Sequence, residues 1–192
     1  MKKIYLTGIP ASGKTTLVDR IMSLQDDIMT ISYSTILANY IAKKMDIHIE
    51  KCDLRERSSS IIDSEDIKNV DKEIINLVNS YINQKHIIID SHATTIENYG
   101  IRTTPFTKKV LEELNFDILI SLFAEPETIY RRIENNACGR KKMSKHMIEF
   151  SMNVQSTLVL SYGDILEKPV YFLDSSKNID FLANWVLDKI NA

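Results

Sequence analysis

Eight consecutive residues, Gly8-Ile9-Pro10-Ala11-Ser12-Gly13-Lys14-Thr15, fit the spacing G-x-x-x-x-G-K-[ST]. Each fixed position has a physical reason. Glycines let the backbone curl so that successive N–H groups point at phosphate oxygens. A helix starting near Lys14 adds its positive N-terminal end. The Lys14 ammonium can neutralise β- and γ-phosphates, and the Thr15 hydroxyl can enter a Mg²⁺ shell. The spacing means a phosphate cradle only where a strand leads in and a helix leads out. Both are predicted: an apolar strand over Lys3 to Thr7, and a helix over Thr15 to Gln25 with Leu17, Val18, Ile21 and Leu24 on one face. The chemistry expected of Gly8 to Thr16 is the binding of ATP with Mg²⁺.

Three further groups could complete such a site. Asp90 ends the run Ile87-Ile88-Ile89, which puts a carboxylate at the carboxyl edge of a strand, where a metal–phosphate complex sits. His92, two residues on, is a candidate substrate contact; the alternative is a packed or surface histidine. Tyr130-Arg131-Arg132-Ile133 and Gly139-Arg140-Lys141-Lys142 form a basic stretch around a loop. Cations that close over a transferring phosphoryl group are what phosphoryl transfer needs, although a charge run by itself reads as a solvated face.

Other outcomes of the same loop are less well matched. A guanine-reading N-K-x-D is missing: Asn83-Gln84-Lys85-His86 precedes a strand and lacks the acid. A motor or remodelling ATPase pairs adjacent acids after the metal strand, whereas Ser91 follows Asp90 here.

The elements that must position these groups alternate strand and helix, predicting an α/β fold with a parallel sheet. Further strands are expected at Ile28 to Ser32, His86 to Asp90, Asp117 to Ala124 and Val170 to Leu173. Helices are expected at Ser34 to Lys44, Ser58 to Gln84 (one long or two short), Pro105 to Leu114 and Pro126 to Ile133. Two more follow: Lys145 to Tyr162 capped by Gly163, and Ile179 to Ile190 with Phe181, Trp185 and Val186 inward. Ile47 to Arg57, Ser91 to Thr104 and Asn135 to Ser144 read as loops. The chain has 192 residues, 44% hydrophobic, which fits one domain with a real core. Its net charge of -2 argues against a general polyanion-binding surface, hence against nucleic acid as partner. Two cysteines, Cys52 and Cys138, are too few for a disulfide scaffold. No apolar run approaches the roughly 20 residues of a membrane span, and the apolar stretch after Met1-Lys2-Lys3 is too short for a signal peptide. A cytoplasmic setting is expected.

Four segments together resemble the archaeal-type adenylate kinases, small P-loop nucleoside monophosphate kinases. They are Thr7 to Thr16, Ile89-Asp90-Ser91-His92-Ala93-Thr94, Val110 to Asn115 ahead of Asp117-Ile118-Leu119-Ile120, and Tyr130-Arg131-Arg132-Ile133. The resemblance implies a P-loop NTPase fold with a five-stranded parallel sheet flanked by helices. A small monophosphate-binding flap (about 32–63) and a short lid (134–145) would complete a single domain over 1–192. It also implies ATP + AMP ⇌ 2 ADP with Mg²⁺. In that reading Lys14, Asp90, Arg132 and Arg140 are catalytic, Thr15 and Asp90 hold the metal, and Arg55 with His92 contacts the acceptor. The family includes cytoplasmic homo-oligomers, so self-association is open to this chain. Ala11-Ser12 stands where the family often has Gly-Val, and Tyr99 to Pro105 follows the family loop only loosely. The other readings are an ATP-dependent kinase for a different small acceptor, and a nucleotide-binding regulator or assembly factor with slow ATPase activity.

Overall fold

The computed structural model describes residues 1–46, 61–97, 99–135 and 143–192. Five parallel strands form the central sheet: β1 (Lys3–Thr7), β2 (Ile28–Ser32), β3 (His86–Asp90), β6 (Ile118–Phe123) and β7 (Val170–Asp174). Their order is β2-β3-β1-β6-β7. The middle strands are near-continuous apolar runs because both faces of a parallel sheet are covered. Alternation along each strand then splits the core in two. Ile4, Leu6, Ile88 and Ile120 face α1 (Lys14–Leu24) and α7 (Ile179–Asn191), meeting Leu17, Ile21 and Val186. Tyr5, Ile87, Ile89 and Leu119 face the opposite layer, formed by α3 (Ser64–Tyr81), α4 (Lys108–Leu114) and α6 (Lys145–Leu166). A cluster of Tyr5, Phe106, Phe116 and Tyr162 rings fills that layer, with centroids 5.3–6.5 Å apart.

Helix α2 (Tyr33–Met45) leaves the end of β2 and packs on α3. Three polar links join the two helices: Tyr33 Oη to Asp71 at 3.0 Å, Asn69 to Tyr40 Oη at 3.0 Å, and Lys44 to the buried Asp66 at 2.7 Å. Asp63 caps α3, accepting from the N–H groups of Glu65 and Asp66 while Asp66 reaches back to its own N–H. The expected flap contains α2; residues 47–60 lie outside the described residues.

Several expectations change. Ser91 to Thr104 is not all loop: β4 (Thr94–Glu97) and β5 (Gly100–Thr103) form an antiparallel hairpin. Its β-branched Thr94-Thr95-Ile96 and Ile101 carry strand propensity, but four residues a side are too few to stand out without the α6 surface behind them. Gly163 does not end α6, which runs on to Leu166; Glu167 takes the left-handed position at φ 53°. The glycine serves close packing instead, since a Cβ there would lie 2.6 Å from Val170 Cγ2. Pro105 lies ahead of α4, whose N-cap is Thr107 accepting from Val110 N–H. Helix α3 spans Ser64–Tyr81 within the expected stretch of one long or two short helices, whose residues 58–60 lie outside the described residues. Phe181 faces solvent, 60% exposed, because Leu182 and Ala183 take the inward positions of α7, and Leu24, the last residue of α1, is exposed as well. No helix among the described residues is long and apolar enough to cross a membrane.

Candidate active site

The P-loop turns on three residues with positive φ: Gly8 at 149°, Ala11 at 66° and Gly13 at 94°. Gly8 is required sterically as well, because a Cβ would sit 2.6 Å from Ser12 Oγ and 2.8 Å from the Leu122 carbonyl. Ser12 N–H donates to Ile9 O at 3.1 Å and closes the turn. Helix α1 starts at Lys14 with no side-chain cap, so its first N–H groups are directed at whatever occupies the loop. Lys14 Nζ reaches back over the loop to donate to Gly8 O at 2.7 Å.

A cleft of about 670 Å³ opens above this loop at the carboxyl edge of the sheet. The chain brings several predicted residues to it: Pro10 to Thr16 on the floor, with Asp90, His92 and Arg132. Asp90 is fixed by two ladders, opposite Leu6 of β1 and Ser32 of β2. Its Oδ1 is buried and has no hydrogen-bond partner among the described residues. That orphaned acceptor, with the Thr15 hydroxyl in the same cleft, fits the hard oxygen set of Mg²⁺. Among the described residues no group of three or more His, Cys, Asp or Glu could hold a metal alone.

Arg132 lies in α5 (Pro126–Asn135) and spans two loops. Its guanidinium donates to Ser175 Oγ and Ser175 O, both at 3.0 Å, and more weakly to Ala11 O at 3.4 Å. It therefore braces the lip of the P-loop against the turn after β7. Asp174 shapes that turn by accepting from Ser176 Oγ at 2.7 Å and Ser176 N–H at 2.9 Å; these bonds hold its carboxyl below the usual aspartate value. Arg55 and Arg140 lie outside the described residues.

Sequence reasoning missed the rest of the wall. Ser32 and Ser34, at the β2–α2 junction, line the cleft at the β2 edge of the sheet, and Thr94, Thr95 and Ile96 of the hairpin line it too. Ser175 and Lys177 line the other end. A polar residue directly after a strand end was the available signal, since the carboxyl ends of parallel strands are where ligands bind.

The family model described as AAA domain matches residues 7–149. The adenylate kinase of Methanothermobacter thermautotrophicus is 23% identical over 180 residues, covering 93% of this chain and 92% of that protein. The adenylate kinase of Thermoplasma acidophilum is 30% identical over 131 residues, 68% of this chain and 66% of that protein. A structure of shikimate kinase from Acinetobacter baumannii in complex with shikimate shares the fold, with a TM-score of 0.60 at 15% identity over 99% of this chain and 93% of that one. The match from Thr7, where β1 enters the P-loop, to Glu149 in α6 spans most of the chain, which therefore belongs to the AAA domain family, with the fold of P-loop kinases and a resemblance to archaeal adenylate kinases.

Proposed function

We propose that this protein is a phosphotransferase that moves the γ-phosphate of ATP to a nucleoside monophosphate, with AMP as the acceptor, so that ATP and AMP become two molecules of ADP. The observation that carries this reading is one cleft with a phosphate-binding floor, lined from both edges of the sheet. Ser175 and Lys177 follow β7 at one edge of the sheet, Ser32 and Ser34 lie at the end of β2 at the other edge, and His92, Thr94, Thr95 and Ile96 line the same cleft. Two ligands entering from these two edges would meet over Lys14. The adenylate kinases among the relatives support the same reading.

Lys14 would carry the β- and γ-phosphate charge as the bond to the leaving oxygen breaks, aided by the N–H groups of the loop. Mg²⁺, held by Thr15 and Asp90, would supply further neutralisation of the phosphates. Arg132 is already at the lip of the loop, and exchanging its carbonyl partners for phosphate oxygens would bring a planar, two-pronged cation to the reacting group. Arg140 in the lid and Arg55 in the flap are assigned by resemblance: the first as a second covering cation, the second as the grip on the acceptor phosphate.

A second reading is favoured by the hydroxyls of Ser32, Ser34 and Thr95 in the cleft. These suit a sugar or other polyhydroxy acceptor as well as a nucleobase. A screen of AMP, CMP, UMP, dTMP and GMP with Mg²⁺-ATP separates the two. ADP formation that depends on AMP is expected; slow hydrolysis indifferent to every monophosphate would overturn the reading and favour another acceptor or a regulatory ATPase. In the same assay Arg55→Lys should raise KM for the monophosphate at least about tenfold, because a two-pronged charged contact is worth roughly 1.5–3 kcal/mol. KM for ATP should be unchanged, and an equal loss for both substrates would refute the role of Arg55.

A further inference from the structure

Helix α6 contains a glutamine on its inward face that packing alone does not explain. Gln155 is 2% exposed, on a helix face that also buries Ser151 and carries Val159 and Tyr162 into an apolar cluster. Its Oε1 accepts twice, from Ala93 N–H at 3.2 Å and from Thr94 Oγ1 at 3.0 Å. Both donors are buried and lie at the entry to the β4–β5 hairpin. Two turns along the same face of α6, Tyr162 Oη accepts from Phe106 N–H at 2.8 Å, where the chain leaves the hairpin. The helix thus holds both feet of the hairpin. Upstream, Ser91 N–H donates to Leu6 O at 3.1 Å. His92 is therefore set between a residue tied to β1 and a pair tied to Gln155.

We propose that Gln155 is a positioning residue for the acceptor wall of the cleft. One oxygen on a long, packed helix fixes where His92, Thr95 and Ile96 stand relative to the P-loop, and so how an acceptor is aligned for attack. A leucine would fill the same space, but it would leave Ala93 N–H buried with no acceptor, and the segment would move to find one. The P-loop takes no part in these bonds, so the effect falls on the acceptor and not on ATP. The inference rests on the kinase reading above.

The test compares Gln155→Leu with Gln155→Glu by hydrogen exchange and steady-state kinetics. Gln155→Leu should speed exchange of the Ala93 amide at least tenfold. It should lower kcat/KM for AMP at least tenfold while Kd for ATP stays within twofold, and raise the fraction of ATP hydrolysed without acceptor product. Gln155→Glu keeps an oxygen able to accept both bonds and should recover AMP kinetics to within about threefold. If Gln155→Leu fails to fold, Thr94→Val, which removes one of the two bonds, should give the same split between substrates at smaller size. Wild-type Ala93 exchange and wild-type AMP kinetics in Gln155→Leu would overturn the proposal. So would an equal loss for ATP and AMP that Gln155→Glu does not rescue, since that marks general destabilisation. Failure of the kinase reading shows separately, as a wild-type protein that phosphorylates no monophosphate; Ala93 exchange then still decides whether Gln155 anchors the wall.

Discussion

Asp71 offers a stability test that is independent of catalysis. It lies in α3, 5% exposed, and its Oδ1 accepts from the Tyr33 hydroxyl at 3.0 Å. Burial pushes its carboxyl up from 3.8 to about 6, and the Tyr33 hydrogen bond opposes that only in part. Between those two values the folded protein holds a proton that the unfolded chain has released. Stability rises with pH only where the unfolded state binds more protons, so here it falls. This group's favourable contribution is complete below about pH 4 and is lost as pH climbs through about 6. A tenfold change in proton affinity is worth about 1.4 kcal/mol, giving on the order of 2–3 kcal/mol across the window. Asp71→Asn cannot ionise, yet it keeps an acceptor for Tyr33. Urea unfolding of both proteins at several values between pH 4 and 7.5 isolates the term, because every other carboxylate is common to the pair. The variant's advantage should grow by roughly 2 kcal/mol from pH 4 to pH 7. A difference that stays flat, or that grows toward acid, would refute the assignment of Asp71 as a carboxylate ionised against its surroundings.

Three other outcomes follow from the geometry. Lys14→Ala removes the ammonium arched over the loop and should lower turnover at saturating ATP by about 10²-fold; wild-type turnover would sink its catalytic role. Gly8→Ala places a Cβ 2.6 Å from Ser12 Oγ at a φ of 149°. It should weaken ATP binding at least about tenfold by calorimetry, and affinity within twofold of wild type would contradict the steric argument. Gly163→Ala gains helix propensity but meets Val170 Cγ2 at 2.6 Å and Lys168 O at 2.9 Å. The clash should win by about 1–3 kcal/mol, read as a lower melting midpoint; an unchanged midpoint would mean that β7 gives way easily.

The phosphate loop and the strands around it were legible because their signals are local. Gly8, Gly13 and Lys14 do their work within eight residues, and Ile87-Ile88-Ile89 reads as a buried strand wherever it is placed. The capping Thr107 was equally local but was obscured by Pro105, a plausible first-turn residue that lies before the helix. Gly163 misled for a related reason. A glycine near a helix end reads as a cap, and only the approach of Val170 from another element shows that its missing side chain is used for packing. Tertiary structure alone decided the strand order and which residues line the cleft. Ser32 and Ser34 reach the cleft because β2 is the edge strand beside β3. Gln155 of α6 bonds the first foot of the hairpin from about 60 residues along the chain. Arg132 was visible as a cation, but its brace to Ser175 depends on β6 and β7 pairing, which brings the two loops together. Contacts of this kind join residues far apart in the chain, and their energy is realised only after the loops between them have closed.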